Sequence, residues 1–113
     1  METDCVFCQI VAGDLPSNVV AETDRVLAIV DIDPQAPTHV LVLPKEHHND
    51  VGSVAAVDPK LLAEMIETGT GIAENECDGE FRLVFNTGRD AGQTVFHVHG
   101  HVLGGRSMQW PPG

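Results

Sequence analysis

VLAIVDIDPQAPTHVLVLP, residues 26–44, decides the architecture of this chain. Two apolar runs, VLAIVDI (26–32) and THVLVLP (38–44), flank DPQAP, whose prolines cannot donate to a ladder and whose acid favours a turn. They read as consecutive strands, most simply antiparallel. Upstream, NVVAE (18–22) and the turn signal ETD add a strand before them. Downstream the period changes. Leu61, Leu62, Met65, Ile66, Gly69, Ile72 and Ala73 recur at three- and four-residue steps, which predicts one helix. Asp58 followed by Pro59 supplies an N-cap and first turn, and Asp78-Gly79 supplies a stop. Gly69 and Gly71 each cost roughly 1 kcal/mol relative to Ala inside a helix, so a close packing contact is expected there. FRLVFN (81–86) and VFHVHGHVL (95–103) return to strand character. The expectation is a single α+β domain over residues 1–113, an antiparallel sheet of about five strands with one long helix packed on it.

The chain carries 6 Lys and Arg against 17 Asp and Glu, a net charge of −11, and its basic residues are scattered. Nucleic-acid binding through a positive patch is therefore not expected. A phosphate ligand would have to be held by backbone N–H groups and histidines. No apolar run approaches the ~18 residues of a membrane span, and no membrane partner is expected. The start, METDCVFCQI, has acids where a secretory signal would carry a basic region, so the expected compartment is the cytoplasm.

HVHGH (97–101) is the chemically dense stretch. At ~3.3 Å per residue and period two, a strand sets His97, His99 and His101 in a row on one face. Phe96, Val98, Gly100 and Val102 then form the core face, with the imidazoles on the side away from most of the core. Three polar rings together are poor packing material, because each nitrogen needs a partner. Two readings of the row stand open: metal ligands of a zinc hydrolase, or a nucleophile beside an acid-base group, both within the reach of neutral imidazole. Cys5 and Cys8 form C-x-x-C, a spacing that zinc sites use, and PKEHH (44–48) offers His47 or His48. Two cysteines and two histidines would close a metal shell and make it a staple. FNTGRDAGQTVFH can present N–H groups and hydroxyls to an anion.

QTVFHVHGHVLGGR resembles the signature of the histidine triad family, three histidines alternating with apolar residues, and MQWPPG looks like the tail of its Hint branch. C-V-F-C and DIDPQAPTHVLVLPKEHH also fall where that family places its motifs. The resemblance implies a homodimeric hydrolase that binds a purine nucleotide and cleaves a bond at the nucleoside α-phosphate through a nucleotidyl-histidine, most simply a phosphoramidase. A dinucleoside polyphosphate hydrolase belongs to the same reading. It implies His99 as nucleophile, His101 at the leaving group and His39 as their buried partner. Asn86, Gly92 and Thr94 match phosphate-holding positions, Asp31 the ribose carboxylate, and Phe7, Ile10, Ile29 and Ile32 the walls around the base. Cys5, Cys8, His47 and His97 match the ligands of a structural zinc, with no catalytic cofactor expected, and Trp110 matches a tail residue that reaches the partner subunit. Two positions depart from the family pattern. Gly100 replaces a large apolar residue, which predicts less packing behind the site, and Ile29 replaces an aromatic of the base pocket. The competing expectations are a nucleotide-binding or interaction module without turnover and a catalytic zinc hydrolase.

Overall fold

A computed structural model describes residues 4–113. Eight elements follow in chain order: α1 (Val6–Val11), β1 (Val19–Glu22), β2 (Val26–Val30), β3 (Thr38–Pro44), α2 (Val51–Val57), α3 (Pro59–Cys77), β4 (Phe81–Val84) and β5 (Gly100–Gly104). The strands form one antiparallel sheet in the order β1-β2-β3-β5-β4, so β5 lies between β3 and β4. The expected α+β architecture, with one long helix on a five-stranded sheet, is present.

Register separates the residues of β2, β3 and β5 by parity. Leu27 pairs with Leu43, Ile29 with Leu41, and Leu41 with His101, which places these odd-numbered residues on one face. Even-numbered Val26, Ala28, Val40, Val42 and Val102 pack on the other face beneath α3, against Leu61, Met65, Ile72 and Ala73. The odd face is covered by α1, whose Phe7 and Cys8 join Cys5, Leu27, Ile29, Leu41 and Leu43 in a second buried cluster. All seven residues of β3 are consequently buried.

Helix α3 begins and ends where its sequence signals stand. The Asp58 side chain accepts from the Leu61 N–H at 3.2 Å, and Asp78 takes the left-handed conformation (φ 57°) before Gly79. Gly69 brings α3 against the sheet, since a Cβ there would lie 3.0 Å from Val102 Cγ2. Gly71 has open space instead, so packing explains only one of the two helix glycines.

Three local expectations are corrected. The short helices α1 and α2 lie in stretches where no helix was expected. The strand expected over 95–103 pairs only from Gly100, and residues 95–99 approach it outside the ladder. Phe96, assigned to the core, is 49% exposed, whereas His97 is fully buried and His99 nearly so. A helix also covers the odd face, so period two distinguishes the faces but not core from solvent.

Candidate functional site

The first cluster forms where α1 meets the loop after β3. Cys5 is the N-cap of α1 and its Sγ accepts the Cys8 N–H, so the C-x-x-C spacing brings both thiols to one helix start. Cys5 Sγ lies 3.4 Å from His97 Nδ1, and Cys8 Sγ lies 3.5 Å from His97 Nδ1 and 3.3 Å from His47 Nδ1. The four ligand atoms all fall within 4.8 Å of one another. Zinc bonds of about 2.3 Å to sulfur and about 2.1 Å to nitrogen give a tetrahedral S–N edge of about 3.6 Å, so the cluster has the dimensions of a closed four-ligand shell. The tautomer agrees. A carbonyl can only accept, so the 2.8 Å bond from His97 Nε2 to the Pro44 oxygen places the proton on Nε2 and leaves the Nδ1 lone pair facing the sulfurs. Burial, opposed by that bond and aided by the neighbouring histidines, pushes the His97 pKa down to about 4. His48 points elsewhere, its Nε2 2.8 Å from Glu46 Oε1, so geometry selects His47 of the two candidates.

The second cluster is a proton-ordered row. The Gln35 backbone N–H donates to His39 Nδ1 at 3.0 Å, so the proton of the neutral His39 ring sits on Nε2. That Nε2–H lies 2.9 Å from His101 Nδ1 and 3.3 Å from Asp31 Oδ2. His101 Nδ1 is thus an acceptor, and its own proton is held on Nε2. His99 has the opposite tautomer. Its Nδ1–H donates to the His97 carbonyl at 2.9 Å, leaving a lone pair on Nε2. Among the described residues no buried side-chain nitrogen or oxygen lacks a hydrogen-bond partner, and His99 Nε2 has none, so that atom is open to solvent. Burial lowers the pKa of both rings, that of His101 to about 4 with help from His99 and His39, so both are neutral near pH 7. Asp31, His39 and His101 are close enough to share an ion. Binding one through His39 Nε2 would require the ring to surrender the proton that the Gln35 N–H fixes there.

A cavity of about 270 Å³ opens over this row. Phe7, Ile10, Ile29, Asp31, Ile32, Thr94, His99 and His101 line it, which unites eight of the residues singled out in the sequence. The Phe7 ring stands edge-on to His99 with centroids 4.9 Å apart. Asp31 is held by the Asp33 N–H on Oδ1. Asn86 and Gly92 lie outside the lining but beside each other, since a Cβ on Gly92 would come 3.8 Å from Asn86 Nδ2. Trp110 is 81% exposed, with the Arg82 guanidinium over its ring, and does not reach the cavity within this chain. A larger cavity of about 650 Å³, around Cys77, Arg82 and Arg106, contains none of the histidines. Of the two, the smaller one is the candidate site, because an apolar wall, a carboxylate and ordered imidazoles converge there.

Two residues that the sequence reading passed over matter here. Phe85 fills the space behind Gly100, where a Cβ would meet Phe85 Cζ at 2.9 Å. The packing expected to be missing at Gly100 is supplied from the side. Gln93 is a buried polar residue whose side chain bonds three backbone groups. No local sequence pattern announces it.

Known proteins resemble this chain in sequence and fold. The family described as HIT domain matches residues 12–108. A 14 kDa zinc-binding protein of Brassica juncea is 41% identical over 97% of this chain and all of its own length. Among solved structures, a HIT family hydrolase of Legionella pneumophila superposes with a TM-score of 0.92 at 46% identity, covering 97% of this chain and 100% of its own. A HIT family hydrolase of Clostridium thermocellum gives 0.91 at 41%, covering 96% of each.

Proposed function

This chain belongs to the HIT domain family, and on that premise we propose that it is a purine nucleoside phosphoramidase acting through a covalent nucleotidyl-His99. The observation that carries the reading is the pair of opposed tautomers: a lone pair on His99 Nε2 beside a proton on His101 Nε2, over one cavity floor. His99 Nε2 attacks the α-phosphorus. The bond to the leaving atom breaks; that atom takes the electron pair and a proton from solvent, while His101 Nε2–H donates a hydrogen bond to the departing group. Water then attacks phosphorus and loses its proton to solvent, and the electron pair of the N–P bond returns to His99.

The same reading gives the other residues their work. Asp31 has acceptor capacity for ribose hydroxyls, and the apolar wall of Phe7, Ile10, Ile29 and Ile32 receives the base. Asn86, Gly92 and Thr94 meet the phosphate, where developing charge is answered by N–H and hydroxyl groups instead of lysines. Cys5, Cys8, His47 and His97 hold a structural zinc, which when bound cross-links α1 to the loop after β3. The working form is a homodimer in the cytoplasm, with the exposed Trp110 turned to the partner.

Quenching turnover of an adenosine phosphoramidate and searching by mass spectrometry should find the nucleotide on His99. His99→Ala should lower kcat by about 10³-fold or more with the fold retained. A chelator that strips metal without unfolding the chain should leave most turnover. Loss of turnover on chelation, with no adduct, would make the metal catalytic. No adduct and no turnover would leave a nucleotide-binding module. Phe85 fills the space behind Gly100, which supports the catalytic reading over the binding module.

A further inference from the structure

The segment that carries the nucleophile is outside the sheet ladder until Gly100, so something other than strand pairing must hold it. The loop after β3 does. The Val98 N–H donates to the His48 carbonyl at 2.7 Å, and His97 Nε2–H donates to the Pro44 carbonyl. Gln93 adds the remaining ties. It is 3% exposed. Its Nε2 donates to the Asn49 carbonyl at 2.7 Å and the Val95 carbonyl at 3.1 Å, while its Oε1 accepts the Gly88 N–H at 2.9 Å. These partners fix the amide orientation, because an N–H only donates and a carbonyl only accepts. The main chain closes the same loop, with Gln93 N–H donating to the Gly88 carbonyl at 3.0 Å.

We propose that Gln93 is a positioning residue that clamps the anion-facing loop 86–94 to the metal-ligand loop 44–49, so that phosphate binding and metal retention depend on one buried amide. One arm, through Gly88, shapes the turn between Asn86 and Thr94. The other, through Asn49, steadies the residue whose Oδ1 lies 3.1 Å from His47 Nε2. A fully paired buried amide of this kind fixes geometry more than it adds stability. The phosphate arm of this inference rests on the proposed function. The metal arm does not.

Gln93→Glu is nearly isosteric and keeps an acceptor for Gly88, but it removes both donors and opposes two carbonyls with a carboxylate. In the zinc-loaded protein it should raise KM for an adenosine phosphoramidate about tenfold while kcat falls less than about threefold. It should also speed zinc release to a chromophoric chelator by about tenfold. A residue that only supports folding would lower kcat with the folded fraction and leave KM alone. Hydrogen exchange provides the second measurement: exchange should quicken in 44–50 and 86–96 and stay unchanged in β1 and β2. Uniform quickening, or unchanged KM and zinc release, would overturn the clamp. Gln93→Met, which keeps the volume and loses every polar tie without burying a charge, should reproduce both effects. If Gln93→Glu does not fold, this variant decides. A wild-type chain that neither turns over nor binds nucleotide would refute the proposed function, and faster zinc release with local loosening would still uphold the clamp.

Discussion

The two faces of the sheet are built from the same strands by different means. Beneath α3, Val26, Ala28, Val40, Val42 and Val102 meet Leu61, Met65, Ile72 and Ala73, an aliphatic interface held by area removed from water. Beneath α1 a six-residue helix covers less, and thiols, imidazoles and backbone hydrogen bonds complete the contact. The first face is an aliphatic core, and the second gathers the thiols and imidazoles of the candidate site. The arrangement works because the polar groups of the second face are paired: no buried side-chain nitrogen or oxygen among the described residues lacks a partner.

Leu61→Ala tests this division most strongly. Leu61 is fully buried on the aliphatic face, and its truncation should cost about 2–5 kcal/mol of unfolding free energy with KM unchanged. Urea denaturation alongside steady-state kinetics would check both halves, and a shifted KM would mean that the faces are not independent.

Acid should separate the faces in order. His101 has a folded pKa of about 4 against about 6.5 unfolded. The unfolded chain therefore binds more protons between these values, so His101 lowers stability as pH falls from about 6.5 towards 4. Asp50 and Asp58 cap α2 and α3. The Ser53 N–H and hydroxyl lower the Asp50 pKa, and the Arg25 guanidinium lowers that of Asp58. Their stabilisation is complete above the ordinary carboxyl range and is lost only as pH drops through it. Hydrogen exchange followed from pH 7 to pH 3.5 should loosen residues 97–103 first and α3 later. The reverse order would contradict the assignment of neutral imidazoles.

The smallest contrast lies within one helix. Gly71→Ala adds a Cβ in open space and should stabilise by about 1 kcal/mol. Gly69→Ala presses on Val102 and should destabilise by about 1 kcal/mol. Thermal melts of the two variants should move in opposite directions.

The aliphatic face was the more legible in sequence. Runs of Val and Leu, the Asp58-Pro59 start and the Asp78-Gly79 stop are local signals, and α3 and β3 formed over the stretches that they predicted. The chemical face was legible in residue type and less so in arrangement. His97, His99 and His101 alternate as read, yet only His101 lies in the ladder, and Phe96 faces water. Alternation encodes direction, while burial depends on what arrives from elsewhere in the chain, here α1. The choice of His47 over His48, the filling of the Gly100 gap by Phe85, and the ties of Gln93 to the backbone at Asn49 all join residues distant in sequence. No pattern within one segment carries such information.

The position of β5 has a consequence for how the molecule comes into being. β1, β2 and β3 are a meander of strands consecutive in sequence, but β4 is made before β5, the strand that it pairs with and that joins it to β3. The pairing of β5 with β3 is also what sets His101 beside His39. Until β5 is in place the β3 edge is unpaired and the two rings are apart, so closing the sheet and assembling the imidazole pair are a single event.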